Sequence, residues 1–137
     1  MNLVVYGSPN IKITAHLDVG LTISLAHFCG ELPRCRHGHI SQIVLIKNNS
    51  LTDWGKAAAK YFKLPFNVVD KFNIKDADAL FLTWDSTNKT CKSIISQMSK
   101  LNKPVYNIFY IHKDNNDIPN KICGNEKADF TIINEKP

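Results

Sequence analysis

The chain has 137 residues, of which 44% are hydrophobic and 21% are charged, a size that can bury a core without disulfides and that predicts a single domain over residues 1–137. There is no apolar run of about 20 residues, which argues against a membrane partner, and no basic-then-apolar amino-terminal stretch, which predicts a cytoplasmic protein. The formal net charge of +5 favours anionic partners, but the scattered lysines form no block typical of a nucleic-acid-binding arm.

The first strand and helix are predicted by hydrophobic pattern. Residues 3–7 (LVVYG) form a short apolar run that predicts a strand, closed by glycine and followed by turn-forming residues. In residues 14–29 the apolar positions recur at helical spacing, which predicts a helix with Thr14 or Asp18 as its cap.

The rest of the chain continues the alternation of strand and helix. In order, the predicted elements are a strand at 42–46, a helix at 51–62, strands at 66–69 and 79–84, a helix at 90–101 capped by Thr90, a strand at 105–111 and a last strand at 129–133. Such alternation predicts a three-layer, doubly wound, Rossmann-like α/β domain with a mostly parallel sheet of about five or six strands. Its core would span about residues 3–110, and residues 111–137 would form a carboxy-terminal extension.

In a sheet of this kind, ligands bind beyond the carboxyl ends of the strands, close to the point where the strand order reverses. The loops there are rich in hydroxyl, amide and lysine side chains, which suit phosphates and sugar hydroxyls. The candidate ligand-binding residues are Gly7, Ser8, Asn10, Asn48, Asn49, Ser50, Asp53, Trp84, Asp85, Ser86, Thr87, Lys89 and Thr90. The alternative is local, because the same residue types fill turns and cap helices. Trp84 could stack on a base or cover the core.

Two residues are candidates for acid–base chemistry. Asp85 follows the fourth strand, and His112 follows the fifth, so both should lie on the ligand face. A histidine at such a position is also a common solvated loop residue.

A cluster of cysteine and histidine follows the first helix. Cys29, Cys35, His37 and His39 have the side chains that Zn²⁺ prefers, although their spacing is not an established finger pattern. The alternatives are a basic connection with Cys29 buried at the helix end, or a contact in a homo-oligomer. Without a secretion signal, the four cysteines are read as thiols or metal ligands.

Four short motifs carry a resemblance to a known family. They are Gly7–Ser8, the Ala-Asp-Ala of residues 77–79, Trp84–Asp85 and Lys103–Pro104. On these motifs the chain resembles the SLOG superfamily of Rossmann-like nucleotide-binding domains, most closely its YspA-like branch, over about residues 3–110. The resemblance implies binding of a nucleotide or a nucleotide-derived small molecule.

The chain also departs from that family. KNNSLT (47–52) stands where the family has a glycine-rich turn, and Thr90–Cys91 stands where it has Gly-Thr. The catalytic Glu of the related phosphoribohydrolases is missing, and Lys92–Ser93 replaces the carboxylate of the deoxyribosyltransferases. These departures favour binding without catalysis, by a sensor or a sequestering protein.

The composition, rich in Asn, Ile and Lys, fits an AT-rich bacterial or phage genome, so a phage anti-defence role is one form of this hypothesis. The first alternative is an enzyme, an N-glycoside hydrolase or transferase acting on nucleoside monophosphates. The second is a nucleic-acid-binding protein, against which the dispersed lysines count.

Overall fold

The computed structural model describes residues 1–29, 39–111 and 128–134, with the backbone alone for residues 28, 29, 111 and 128–134. The elements in chain order are β1 (Asn2–Gly7), α1 (Ala15–Cys29), β2 (Gln42–Ile46), α2 (Thr52–Tyr61), β3 (Phe66–Val69), a 3₁₀ turn (Ile74–Asp76), β4 (Ala79–Trp84), α3 (Lys89–Lys100), β5 (Val105–Ile111) and β6 (Ala128–Asn134). Each predicted strand and helix is present, and the bounds differ from the predicted ones by one residue at most.

The strands of the described residues form one six-stranded sheet in the order β3-β2-β1-β4-β5-β6. Every neighbouring pair is parallel. This order is that of doubly wound dinucleotide-binding folds, in which the direction of winding reverses beside the first strand. The predicted Rossmann-like α/β class is therefore confirmed, and the reversal lies between β1 and β4.

Two hydrophobic clusters cover the two faces of the sheet. On the first face, leucines of α1 and residues 54, 58 and 59 of α2 pack on Leu3, Val5 and Phe81. On the second face, residues 91, 94 and 98 of α3 pack with Val4 and Leu80. Neighbouring residues of a strand point to opposite faces, so a sheet covered on both sides needs strands that are apolar throughout. The short apolar runs of the sequence meet this requirement.

Helices α1 and α2 are tied to each other and to the sheet. Thr14 caps α1, since its Oγ1 accepts from the Leu17 N–H at 3.2 Å. Asp18, the other predicted cap, accepts instead from the indole N–H of Trp54 at 2.8 Å. Close packing of α2 depends on Gly55, because a Cβ there would lie 2.3 Å from a methyl group of Leu45.

Helix α3 begins one residue before its predicted start. Asn88 has an extended backbone, and its Oδ1 accepts from the Cys91 N–H at 3.0 Å. Asparagine is among the preferred N-cap residues. The prediction that Thr90 caps this helix is therefore wrong, because Thr90 lies inside its first turn and is exposed.

The connection from β3 to β4 has no α-helix. Residues 70–78 cross the second face of the sheet with only the 3₁₀ turn, whereas a parallel crossover usually has a dozen or more residues and a helix. Phe72 and Ile74 from this connection pack against the second cluster. This part of the second face is therefore covered only by an irregular connection and not by a helix. No helix in the described ranges is both long and apolar enough to cross a membrane.

Candidate functional site

The loops after β1, β2 and β4 meet where the strand order reverses. The Ser8 N–H donates to the Thr83 carbonyl at 2.9 Å, which joins the loop after β1 to the end of β4. Asn10 Nδ2 donates to Asp85 Oδ2 at 2.9 Å. Ser50 Oγ donates to the Ser8 carbonyl at 2.8 Å. Three loops that are far apart in sequence therefore form one hydrogen-bonded unit.

Asn49 connects the loop after β2 to the end of β1. Its Oδ1 accepts from the N–H groups of Gly7 and Leu51, at 2.9 and 3.0 Å, and its Nδ2 donates to the Gly7 carbonyl at 2.9 Å. The Asn49 N–H donates to Thr52 Oγ1, which in turn donates to the Ile46 carbonyl. The KNNSLT sequence is thus a turn held by its own side chains.

Gly7 has a steric reason to be glycine. A Cβ at this position would lie 2.5 Å from Ser50 Oγ and 2.7 Å from Leu51 Cγ. The close approach that a nucleotide-binding fold often reserves for phosphate is filled here by the neighbouring loop.

Asp85 is surrounded by donors. Its Oδ1 accepts from the N–H and the hydroxyl of Thr87, at 3.0 and 2.6 Å, and its Oδ2 accepts from Asn10. Burial alone would raise the pKa of this carboxyl, but the hydrogen bonds from Thr87 and Asn10 outweigh it, and the pKa lies below its usual value. The carboxylate is therefore ionised at neutral pH and is a poor proton acceptor there.

The predicted ligand residues differ in their access to solvent. Asn10, Asn48, Asp53, Thr87, Lys89 and Thr90 are exposed; Asn49, Ser50 and Asp85 are partly buried; Gly7, Ser8, Trp84 and Ser86 are buried. Ser86 has a backbone φ of 80° in the left-handed region, and this turns the chain from β4 towards α3.

Trp84 belongs to the core. Its side chain is fully buried, its indole N–H donates to Asn107 Oδ1 at 3.2 Å, and its ring packs against Phe109 at 5.9 Å. A ring without an exposed face cannot stack on a base, so the stacking interpretation of Trp84 gives way to core packing.

An open groove of about 670 Å³ lies between α3 and residues 70–76. Its apolar lining is Tyr6, Ile46, Phe72, Ile74 and Ile94, and its polar lining is Asp70, Lys71, Asn73, Asp76, Thr90, Ser93 and Gln97. Tyr6, Ile46 and Thr90 are sequence neighbours of the three joined loops. The groove therefore opens beside the point where the strand order reverses.

Only Thr90 of this lining was among the predicted ligand residues. The sequence pattern does not point to the loop after β3, because no α-helix follows this loop and it has no glycine-rich turn. A signal did exist, since residues 70–78 are too few for a helical crossover and must leave part of one face thinly covered.

Tyr6 forms part of the groove wall. Its ring meets the ring of Phe72 edge to face, with centroids 6.4 Å apart. Burial raises the pKa of Tyr6 above its ordinary value, and Cys91 adds to this shift only where its thiol is ionised. The hydroxyl is therefore protonated at neutral pH and is able to donate a hydrogen bond.

Lysines surround this end of the sheet. Each of the strands β1 to β4 is followed within a few residues by an exposed lysine, namely Lys12, Lys47, Lys71 and Lys89. They lie at the edge where the predicted anionic ligand would approach.

The predicted zinc site and the predicted acid–base residue His112 fall mainly outside the residues that the structure describes. Cys35, His37 and His112 lie outside the described residues, as does the side chain of Cys29. His39 is exposed, and its carbonyl accepts from the amino terminus at 2.8 Å. Within the described ranges, no group of three or more His, Cys, Asp or Glu could hold a metal ion. The zinc site and the role of His112 stay predictions.

No family model matches the chain, and neither a curated protein nor a solved structure gives a match. The similarity to the SLOG superfamily stays a prediction from the motifs quoted above.

Proposed function

We propose that this chain binds a nucleotide or a nucleotide-derived small molecule and acts as a sensor or a sequestering protein. The observation that carries the proposal is the open groove beside the β1–β4 reversal, next to three loops joined by hydrogen bonds. Doubly wound folds bind ligands at this position. The volume of about 670 Å³ is within the range of about 300–1,000 Å³ that is typical of small-molecule sites.

The charge distribution supports an anionic ligand. The chain has a formal net charge of +5, and four exposed lysines follow the four strands that border the site. A phosphate group near the carboxyl edge would be attracted by these lysines and by the amino ends of α2 and α3.

Binding without turnover is supported by the state of Asp85. A general base works best when its pKa is close to the working pH, whereas hydrogen bonds hold the pKa of Asp85 below its usual value. Both carboxylate oxygens also have donors from the chain itself. The N-glycosidase alternative would need this carboxylate to be rearranged.

A melting-temperature panel tests the proposal. The full chain would be mixed with nucleoside mono- and diphosphates, cyclic nucleotides and ADP-ribose, after mass spectrometry of any small molecule that co-purifies. We expect at least one class to raise the melting temperature without being consumed. Released base that is abolished by Asp85→Asn would instead indicate the enzyme, and affinity for DNA that falls steeply with salt would indicate the nucleic-acid binder.

Two substitutions on α3 locate the binding. Ser93 lines the groove and Ser96 does not, and both are exposed on the same helix. Ser93→Phe should fill the groove and remove the ligand-induced shift, while Ser96→Phe should keep it. If no compound shifts the melting temperature of the unchanged chain, the proposal fails.

We also propose a second copy of this chain as a partner, through the outward face of α1. Val19 and Ile23 are 59% and 55% exposed there. The only Asp, Glu, Lys or Arg of this helix is Asp18, which is bonded to Trp54. In a chain of net charge +5, a face without lysine or arginine is one where two copies meet with little repulsion at neutral pH.

Light scattering after gel filtration tests this contact. The unchanged chain should be a dimer and Ile23→Lys a monomer, with circular dichroism confirming that the variant is folded. Leu101→Lys, at a position 55% exposed directly after α3, is the matched control and should stay dimeric. A monomeric unchanged chain would refute the contact.

A further inference from the structure

We infer that the outer edge of β3 binds an extended, acidic segment of a partner protein, which adds a strand to the sheet. This β3 edge consists of Phe66 and Val68 together with the lysines beside them, Lys56, Lys60 and Lys63. The inference concerns the first face of the sheet, and it goes beyond nucleotide binding in the groove of the second face.

The backbone of β3 has hydrogen-bonding groups on its outer side. The carbonyls of Pro65 and Val69 accept from N–H groups of β2 and of the residue directly after it, at 3.0 and 2.8 Å. Because successive residues of a strand direct these groups to opposite sides, the N–H and C=O of Phe66 and Val68 point away from the sheet. In the described ranges β3 is the last strand of the sheet, so no strand of these ranges lies beside those groups.

The side chains of the β3 edge are apolar and partly open. Phe66 and Val68 are 38% and 36% exposed, whereas their register partners on β2, Ile43 and Leu45, are fully buried in the first cluster. Helix α2 therefore covers β2 and leaves the first face of β3 uncovered in part. A strand added about 4.8 Å away would place its own side chains next to Phe66 and Val68 and cover them.

One side of α2 faces the β3 edge. On the opposite side, the Trp54 ring stacks on Phe81 of β4 at 6.0 Å, and its indole N–H donates to Asp18 of α1. In the strand order, β3 and β4 lie on opposite sides of β2. At about 100° per residue, Lys56 and Lys60 lie on the side of α2 away from Trp54, which is the side of β3.

The charge of the β3 edge distinguishes between possible partners. Residues 52–71 contain four lysines and two aspartates, namely Lys56, Lys60, Lys63, Lys71, Asp53 and Asp70. A second copy of the chain would bring the same excess of lysines against this one, and lysines at an edge strand are a common means of preventing such pairing. An acidic segment is attracted instead. Pairing of an extended segment with a sheet edge is a general mode of peptide recognition.

Selection from a displayed library of random peptides of about ten residues, with the full chain as target, tests the inference. Peptides that bind Val68→Pro are removed first, because this substitution deletes an outward N–H, and edge strands tolerate proline at such positions. Circular dichroism confirms that the variant is folded. We expect the remaining peptides to have more Asp and Glu than Lys and Arg, with apolar residues two positions apart. A selected peptide should slow hydrogen exchange at the amides of Phe66 and Val68.

Two charge reversals complete the test. Lys60→Glu should weaken binding of the selected peptide about fivefold, the effect of an exposed ion pair. Lys100→Glu makes the same change of net charge at an exposed residue of α3, on the other face, and should have little effect. The inference is overturned if no peptide is recovered, if the peptides are not acidic, or if Lys60→Glu does not weaken them. A change of oligomeric state in Val68→Pro alone would assign the edge to a second copy and would overturn it too.

Discussion

The side chain of Asn49 forms a reciprocal pair of hydrogen bonds with the backbone of Gly7. Its Oδ1 accepts from the Gly7 N–H and its Nδ2 donates to the Gly7 carbonyl, both at 2.9 Å. An amide side chain matches a backbone peptide group in this way because each has one donor and one acceptor side by side. The side chain of Asn49 therefore holds the loop after β2 to the end of β1 with the same kind of paired hydrogen bonds that join neighbouring strands.

Asn49→Asp should destabilise the fold. The substitution replaces the Nδ2 donor by an oxygen that faces the Gly7 carbonyl. This partly buried carbonyl then loses its hydrogen-bond donor and lies against a second acceptor. We expect the free energy of unfolding in urea to fall by about 2–4 kcal/mol. Asn48→Asp is the control, since Asn48 is exposed and Asp tolerates its left-handed backbone; its effect should stay within about 0.5 kcal/mol. Equal losses at both positions would contradict the role of Asn49.

Gly7→Ala should also destabilise the fold, because the new Cβ would approach Ser50 Oγ and Leu51 Cγ to under 3 Å. Overpacking of this kind costs about 1–3 kcal/mol. The double variant Gly7→Ala with Ser50→Gly removes the nearest obstacle. Its loss of stability in the same urea experiment should be smaller than the sum of the two single losses, and strict additivity would show that the two residues do not clash.

Asn88→Ala should lower the stability by about 1 kcal/mol, since it removes the cap of α3. Thr90→Ala should change it by less than about 0.5 kcal/mol, because Thr90 is exposed inside the first turn. Thermal or urea unfolding of both variants measures the difference. A larger loss of stability in Thr90→Ala than in Asn88→Ala would instead support Thr90 as the cap, as the sequence predicted.

Asp85 should make the fold sensitive to acid. Its folded-state pKa lies below the unfolded value of about 3.9, so its contribution to stability is fully present above that value and is lost as the pH falls through the folded pKa. The stability advantage of the unchanged chain over Asp85→Asn should therefore shrink between about pH 5 and pH 2. Thr87→Val, which removes one hydroxyl donor, should reduce this pH dependence, and a constant advantage over the whole range would argue against the assignment.

Cys91 should be unreactive in the folded chain. Its side chain is fully buried, and burial, together with the negative charge of Asp85, raises the pKa of the thiol to about 12. In a variant that keeps Cys91 as its sole cysteine, a thiol reagent at pH 8 should label the native protein only at the rate of unfolding. Rapid labelling without denaturant would mean that α3 opens readily from the sheet.

The strands and helices could be predicted because each apolar run ends at a turn-forming or polar residue. The edge of the sheet at which the predicted loops meet could be predicted too, since the carboxyl ends of parallel strands share one edge. The groove between α3 and residues 70–76 could not be predicted from the sequence. It depends on which face residues 70–78 cross, and their sequence has no periodicity that indicates this.

The cap of α3 and the orientation of Trp84 show what the sequence pattern cannot predict. Asn88 and Thr90 are both suitable cap types, and the choice depends on which backbone is extended where the chain leaves Ser86. Trp84 is at the end of β4, where its face depends on the register of the whole sheet. Its polar neighbours in sequence left a ligand-facing position open, but strand alternation directs its ring towards Phe109.

The central position of β1 has a consequence for how the chain folds. Leu3 pairs with Ala79 on one side and with Ile43 on the other, so the middle of the sheet joins residues from distant parts of the chain. Contacts at such long sequence separation form slowly, because the loop between them must close first. The crevice between β1 and β4 exists only when β4 has docked on β1. A compound that needs this crevice therefore binds only chains in which that docking has occurred, and its binding stabilises the docked state.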